Sequence, residues 1–184
     1  MHFRRYTVWV DAEFRIREFR RADFLRLWEI DRACFPAGIS YSQIELLTYM
    51  RRPRAFTLVA ERREKGEPAI GGEGVQPGEA EDRAIGFIVA EAERRQVGHI
   101  ITIDVLEEAR GSGLGSKLLL AAEARLKELG CRTVLLETAA DNVAAMAFYK
   151  KHQYFLVKTI PRYYASGVDA FLLKKDLLSA GWDG

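Results

Sequence analysis

One short stretch constrains the fold of this chain more than any other: a strand-like segment that runs through a glycine-rich loop into an amphipathic helix pattern. Residues 105–117 read VLEEARGSGLGSK. Gly111, Gly113 and Gly115 let the backbone turn tightly and direct successive N–H groups at one anion. A helix that begins near Leu114 adds the positive end of its dipole. The stretch predicts a loop that binds a pyrophosphate, and the structural alternative is a flexible turn that caps a helix.

The spacing of the glycines distinguishes three kinds of phosphate loop. A dinucleotide-binding G-x-G-x-x-G needs glycine where this chain has Ser116, and a P-loop needs Gly-Lys-Ser/Thr where it has Gly115-Ser116-Lys117. What remains is R-x-x-G-x-G, formed by Arg110, Gly113 and Gly115. The pattern therefore matches neither of the two common nucleotide-binding motifs.

Composition limits the classes of protein that fit. With 184 residues, of which 48% are hydrophobic and 29% charged, we expect one soluble domain over residues 1–184. The net charge of +2 favours neither nucleic acid nor a membrane as partner. Cys34 and Cys131 have no metal-ligand spacing, so we expect reduced thiols and no metal. Because the chain lacks a long apolar run and a signal-peptide pattern, we expect a cytoplasmic protein.

Hydrophobic periodicity predicts alternating strands and helices. Strands are predicted over 13–19, 56–60, 85–90, 99–105, 133–138, 154–160 and 170–173, and helices over 21–35, 42–50, 114–129 and 142–151. In the second helix Ile44, Leu47 and Met50 are expected on the buried side, and Asp141 is expected to cap the last helix. The order of elements predicts a mixed α/β sheet with helices on both faces.

Residues 61–83 interrupt this pattern. They contain five Gly, two Pro and eleven charged residues, too little apolar surface to offset the cost of ordering the chain. We expect a long flexible loop of a hairpin, with an arm that contacts a peptide as the functional alternative.

Three segments, in order, carry a resemblance to a known family. The strand GHIITIDV at 98–105 leads into RGSGLG at 110–115, LETAADNVAAMAFYKKHQYF follows at 136–155, and RYYASGVDAFLLKKDL stands at 162–177. They resemble the central strand and acetyl-coenzyme-A loop, the helix region and the closing hairpin of the GCN5-related N-acetyltransferase (GNAT) superfamily, and in particular RimI-like protein N-alpha-acetyltransferases. The resemblance implies the GNAT fold, a single mixed, mostly antiparallel sheet of about seven strands with helices on both faces.

The same resemblance implies a function and a set of residues. The chain would transfer acetyl from acetyl-coenzyme A to the N-terminal α-amine of proteins or peptides by direct attack, without a metal. Glu137 would be the general base and Tyr149 the general acid. The groups that hold the cofactor would be Ile103, Val105, Arg110, Gly111, Ser112, Gly113, Leu114, Gly115, Ser116 and Asn142. The slot for the acceptor peptide would be lined by Phe35, Pro36, Tyr41, Tyr163 and Tyr164.

The residue patterns leave alternatives beside each role. Glu137 ends a strand among apolar residues, where an ordinary ion pair is the structural alternative. Asn142 and Tyr149, seven residues apart, would share a helical stripe roughly 10.5 Å long that suits a pantetheine arm, but Tyr149 also fits as a core aromatic with a solvated hydroxyl. His99 is favoured as a structural or water-holding residue over a second base.

Two departures from the family pattern concern its turns. Val168 stands before Asp169-Ala170 where the family often has Glu, and Leu106-Glu107 replaces an Asp-Pro turn. The first is expected to alter contacts at the peptide slot. Two alternative functions stay open: acetylation of a lysine or small-molecule amine, and a non-catalytic acyl-coenzyme-A-binding module.

Overall fold

The computed structural model describes residues 7–9, 14–62 and 84–178 of the chain. Most of the loop predicted over 61–83 lies outside these residues. None of the helices in the described part is long and apolar enough to cross a membrane.

The secondary structure follows the predicted order closely. The strands are β1 (Thr7–Trp9), β2 (Phe14–Glu18), β3 (Ala55–Arg62), β4 (Ala84–Ala92), β5 (Val97–Val105), β6 (Thr133–Ala139), β7 (Phe155–Ile160) and β8 (Ala170–Asp176). The helices are α1 (Phe24–Cys34), α2 (Gln43–Met50), α3 (Leu114–Glu128) and α4 (Val143–Lys151), with short 3-10 turns between some elements.

The described strands form one sheet in the order β1-β2-β3-β4-β5-β6-β8-β7. Every neighbouring pair is antiparallel except β5 and β6, which run parallel. This confirms the expected mixed, mostly antiparallel sheet. The eighth strand is β1, a three-residue edge strand that the periodicity did not predict.

Helices cover both faces of the sheet, as expected. On one face α3 buries Leu114, Leu118 and Leu126 in a large apolar cluster that also contains Tyr149 of α4. On the other face α1 and α2 bury a second cluster, in which Leu46 has no exposed area. Residues that lie on opposite faces of the central strands therefore meet different helices.

Two helix predictions were wrong in detail. The buried residue of α2 is Leu46, whereas Ile44 is 80% exposed, because two residues correspond to a rotation of roughly 200° around a helix. The cap of α4 is Asn142 and not Asp141, because the Asn142 Oδ1 accepts the N–H of Ala145 at 3.0 Å.

Glu61 is not part of a loop, contrary to the prediction, and lies in strand β3 with only 1% of its side chain exposed. Its carboxylate pairs with Arg15, and accepts a hydrogen bond of 2.6 Å from Nε of Arg17. Arg17 is itself buried and bonds Asp23 at 2.7 Å. A buried carboxylate requires such partners, and the charge count of a segment does not reveal them.

Candidate active site

A cavity of about 740 Å³ lies where the two parallel strands separate. Pairing between β5 and β6 ends at Ile100 and Leu136, although β5 continues to Val105 and β6 to Ala139. Opposite β4, Ala90 pairs with Ile100 and Val89 with Thr102, so Ile101 is an extra residue in β5. Such a bulge bends a strand and ends regular pairing. The divergence therefore opens the sheet between β5 and β6.

The glycine loop lies at one end of the cavity. Gly111 and Gly113 have φ angles of 78° and 83°, a left-handed conformation that favours glycine, and Gly113 is the N-cap of α3. Arg110, Gly115 and Ser116 line the cavity with them, beside Lys151 of α4. A helix N-terminus flanked by two cationic side chains fits a pyrophosphate. Lys151 was not predicted, although it lies three residues after Phe148 and so shares the helix face that lines the cavity.

Helix α4 forms a wall of the cavity, with Asn142, Ala145, Phe148 and Tyr149 among its lining residues. Tyr149 is only 6% exposed, and its ring meets that of Phe148 edge-on at 5.2 Å between centroids. Burial, followed by the charge of Asp104 and by Tyr164, raises the pKa of Tyr149. Its phenol therefore stays protonated at neutral pH and can donate a proton.

Glu137 lies beside His99, and His99 lies between two carboxylates. Nε2 of His99 is 2.7 Å from Oε2 of Glu137, and Nδ1 is 3.0 Å from Oε1 of Glu93. Two ionised carboxylates both accept, so only the imidazolium, with an N–H on each nitrogen, satisfies both contacts. Burial lowers the pKa of His99, but the hydrogen bonds and charges of Glu137 and Glu93 outweigh it and raise the pKa overall.

Glu93 was missed in the sequence because nothing local marks it. It precedes a short turn between β4 and β5, and only the hairpin brings its carboxylate to His99.

The far end of the cavity is lined by aromatic residues from two loops. Phe35, Pro36 and Tyr41 follow α1, and Tyr164 belongs to the turn between β7 and β8. The two loops touch: a Cβ added at Gly38, whose φ is 89°, would lie 3.2 Å from the Ser166 nitrogen. These loops form the walls of a slot.

Hydrogen bonds and ring contacts hold Tyr41 in this slot. Its N–H donates to Oδ2 of Asp31 at 2.8 Å, and its carbonyl accepts from Nε1 of Trp28 at 3.1 Å. Its hydroxyl is 3.4 Å from the Ile101 carbonyl, and its ring is 5.2 Å from that of Tyr49, a neighbour that the sequence did not suggest.

Three predicted residues do not line the cavity. The Ser112 hydroxyl donates to the Ala109 carbonyl at 2.7 Å and so stabilises the loop from within. Leu114 is fully buried in the core under α3. Tyr163 is 47% exposed and stacks edge-on against Tyr164, with ring centroids 5.0 Å apart. The other predicted site residues all line one cavity, from Phe35 to Tyr164.

Two buried acids lie beneath the slot on the α1 face. Asp31 and Asp104 are 0% and 1% exposed, and Oδ1 of Asp31 finds no donor among the described residues. Burial raises the pKa of Asp31 to about 6 and, together with the charge of Asp31, raises that of Asp104 well above its usual value. Burial also raises the pKa of the Cys34 thiol, which lines the cavity, to about 11, so it is a poor nucleophile.

Within the described ranges, no group of three or more His, Cys, Asp or Glu side chains is arranged to hold a metal ion.

Comparison with known proteins gives one consistent family. The acetyltransferase (GNAT) family model matches residues 24–154. An N-alpha-acetyltransferase of Sulfurisphaera tokodaii is 29% identical over 177 residues, which cover 90% of this chain and 94% of that protein. N-alpha-acetyltransferase 30 of Schizosaccharomyces pombe is 35% identical over 94 residues, but the match spans only 49% of this chain and 63% of the yeast protein.

Comparison with solved structures finds the same fold in other proteins. The crystal structure of Ard1 from Thermoplasma volcanium superimposes with a TM-score of 0.72 and 24% identity, over 90% of this chain and 98% of that one. At this identity the likeness concerns the arrangement of strands and helices.

Proposed function

The chain belongs to the acetyltransferase (GNAT) family, and from that premise we propose that it transfers an acetyl group from acetyl-coenzyme A to the N-terminal α-amine of a protein or peptide. One observation carries the proposal: a single cavity runs from the glycine loop, along the separated strands, to Glu137 and an aromatic slot. This arrangement provides an anion site, an extended channel and a base in one continuous space.

The residues present fit acetyl-coenzyme A. Arg110, the N-terminus of α3 and Lys151 would hold its pyrophosphate, and Ile103, Val105 and Asn142 would flank its pantetheine arm. Asn142 uses its side-chain oxygen to cap α4, so its amide nitrogen is the group left to contact the arm. When bound, the cofactor supplies an activated thioester that an amine can attack directly.

Glu137 is the proposed base. An α-amine has a pKa near 7.7 to 8 and a lysine amine one near 10.4, so at about 1.36 kcal/mol per unit the α-amine is roughly 3.5 kcal/mol easier to deprotonate. A carboxylate that acts directly or through one water suffices for it. Glu137 is 17% exposed at the cavity wall, which allows it to reach an acceptor there.

His99 is proposed to position Glu137 and not to act as a second base. As the imidazolium it carries an N–H on each ring nitrogen, and each N–H faces a carboxylate, so the ring has no lone pair with which to take a proton from the amine. The ring instead fixes the orientation of Glu137 and compensates part of its charge.

Tyr149 is the proposed general acid. Its side chain lines the same cavity from the α4 side, and its hydroxyl, which is protonated at neutral pH, can donate to the departing sulfur. Neither Cys34 nor Cys131 is needed, because positioning and polarisation of the carbonyl supply most of the rate in a direct attack.

The aromatic slot supports a peptide as acceptor. Tyr41 and Tyr164, with Phe35 and Pro36, offer flat surfaces and hydroxyl groups that suit the first residues of an extended chain. With a peptide as acceptor, the proposed enzyme is a RimI-like protein N-alpha-acetyltransferase. Two free cysteines fit a reducing compartment, so we place the reaction in the cytoplasm.

The test is acetylation of a peptide library in which each peptide carries both a free N-terminus and an internal lysine. Mass spectrometry of the products is expected to find acetyl on the α-amine, with a preference among the first residues. Acetyl only on lysine side chains, or turnover only with small amines, would refute the proposed acceptor. Binding of acetyl-coenzyme A without turnover on any amine would indicate a binding module.

A further inference from the structure

His152 contacts the glycine loop from outside the cavity. It is the C-cap of α4, and its Nε2 lies 2.8 Å from the hydroxyl oxygen of Ser116, in the first turn of α3. Its ring packs against that of Phe148 at 4.8 Å between centroids, and its backbone N–H donates to the Tyr149 carbonyl at 3.0 Å. Ser116 and Phe148 both line the cavity. His152 is therefore held in place next to the anion site by three different contacts.

The proton on Nε2 decides what the Ser116 hydroxyl offers to the cavity. If Nε2 is unprotonated, it accepts a hydrogen bond from the Ser116 hydroxyl, and the hydroxyl oxygen presents only lone pairs to an incoming anion. If Nε2 carries a proton, it donates to that oxygen, and the Ser116 O–H is free to donate to a phosphate. The first state repels an anion and the second binds it.

Charged groups on three elements surround the ring. Burial lowers the pKa of His152, and Lys175 of β8 and Lys151 of α4 lower it further, against the opposing charge of Glu123 of α3. Glu123 is already engaged by Lys175 at 2.6 Å and by the Tyr154 hydroxyl at 2.9 Å. Without ligand the ring is therefore neutral near pH 7, and an anion at Ser116 would favour its protonation.

We propose that His152 is a positioning residue for the pyrophosphate of coenzyme A: by donating from Nε2 it turns the Ser116 hydroxyl into a donor, and so couples cofactor binding to its own protonation and tautomer. The inference rests on the proposed function, since it requires coenzyme A in this cavity. It adds to that function a residue outside the glycine motif and a dependence on pH.

The direct test uses the unmodified protein. The ring ¹⁵N chemical shifts of His152, recorded with and without coenzyme A between pH 5.5 and 8, report whether Nε2 carries a proton. We expect Nε2 to become fully protonated on binding and the pKa of His152 to rise. Unchanged ring shifts in the complex would overturn the inference.

Binding of coenzyme A by calorimetry tests whether His152 acts through Ser116. Ser116→Ala and His152→Phe, which keeps the contact with Phe148, are each expected to weaken binding about tenfold at pH 6, the lower range for one hydrogen bond to a charged oxygen. The double variant should be no weaker than either single one. His152→Gln, whose amide can donate from nearly the same place, should keep the affinity, and Lys150→Gln at the same helix end should match the parent protein.

The pH dependence separates the outcomes. Affinity should fall as pH rises from the free-state pKa of His152 to its higher bound-state pKa. A phosphate monoester also titrates near pH 6. The measured quantity is therefore a difference: the slope of log affinity against pH in the parent protein minus the same slope in His152→Gln. An equal slope in the two proteins, or full affinity in His152→Phe, overturns the inference. A parent protein that binds no coenzyme A at any pH refutes the proposed function instead.

Discussion

Nε2 of His99 lies 2.7 Å from Oε2 of Glu137, the first residue of β6 beyond its last pair with the parallel strand β5. His99 lies in β5, the strand that precedes the glycine loop, and Glu137 is the carboxylate proposed as the base. The contact exists only because β5 and β6 are neighbours, since the two residues are 38 positions apart in the chain. Glu93 completes the group from the opposite side of the ring.

Glu137→Gln is expected to lower kcat/KM for a peptide α-amine roughly 10²- to 10⁴-fold at pH 7, because the amide cannot accept the proton. The loss should shrink above pH 8, where most of the α-amine has already lost its proton and needs no base. Steady-state kinetics with a free-N-terminus peptide measures this, and the affinity for coenzyme A should change by no more than about twofold, which is well under 1 kcal/mol. Glu91→Gln, a carboxylate paired with Arg52 at 2.9 Å, is the control and should retain turnover. Equal rates in both variants would contradict the role of Glu137.

Glu93→Gln is expected to lower the pKa of His99. In the parent protein this pKa is raised above 6.5, so the stabilisation from the protonated ring is present below pH 6.5 and is lost as pH rises through the folded-state pKa. NMR titration of the His99 ring protons in the two proteins measures the difference. An identical titration in parent and variant would mean that the Glu93 contact is not maintained in solution.

Tyr149→Phe is expected to lower kcat roughly 10- to 100-fold with little change in coenzyme A affinity, because the departing sulfur loses its proton donor. Tyr154→Phe is the matched control: its ring is 5.6 Å from that of Tyr149, but its hydroxyl bonds Glu123 at 2.9 Å. That variant should lose about 1 kcal/mol of stability and retain kcat. A rate loss of the same size in both would point to disturbed packing.

Gly113→Ala and Gly130→Ala separate backbone strain from ligand binding. Their φ angles are 83° and 85°, and an added Cβ meets nothing within 4 Å at either position. Each variant is expected to unfold with about 1 kcal/mol less free energy, because alanine disfavours this conformation. Only Gly113→Ala should also weaken coenzyme A binding, since Gly130 follows the other end of α3. Urea denaturation and calorimetry measure the two effects. Equal affinity in both variants would show that the loop tolerates rearrangement.

Asp31→Asn is expected to stabilise the protein above pH 7. The pKa of Asp31 rises from 3.8 to about 6 on folding, so the folded state holds a proton that the unfolded chain releases. The free energy of unfolding therefore falls between these two pH values, by about 3 kcal/mol, and the whole penalty persists above pH 6. Asparagine removes the charge and can still accept the Tyr41 N–H. Urea unfolding at pH 5 and pH 8 is the measurement, and a variant less stable at pH 8 would contradict this account.

Much of the fold was predictable because its signals are local. The alternation of Phe14 and Ile16 in a strand and the apolar stripe from Leu114 to Leu126 in a helix each lie within one element. Such patterns depend on the period of a strand or a helix and not on what packs against it. The predictions were wrong where neighbouring elements decide which helix face is buried or where an element begins or ends, as for Ile44, Asp141 and Glu61.

Local pattern was also enough to locate the glycine loop and, with the family resemblance, to name Glu137 and Tyr149. Tertiary structure alone decided what surrounds them. The bulge at Ile101 opens the sheet, strand pairing places Glu93 and Glu137 on the two nitrogens of His99, and α4 brings His152 to Ser116. These contacts join residues distant in the chain, and their geometry depends on strand register and helix packing, which no single segment encodes.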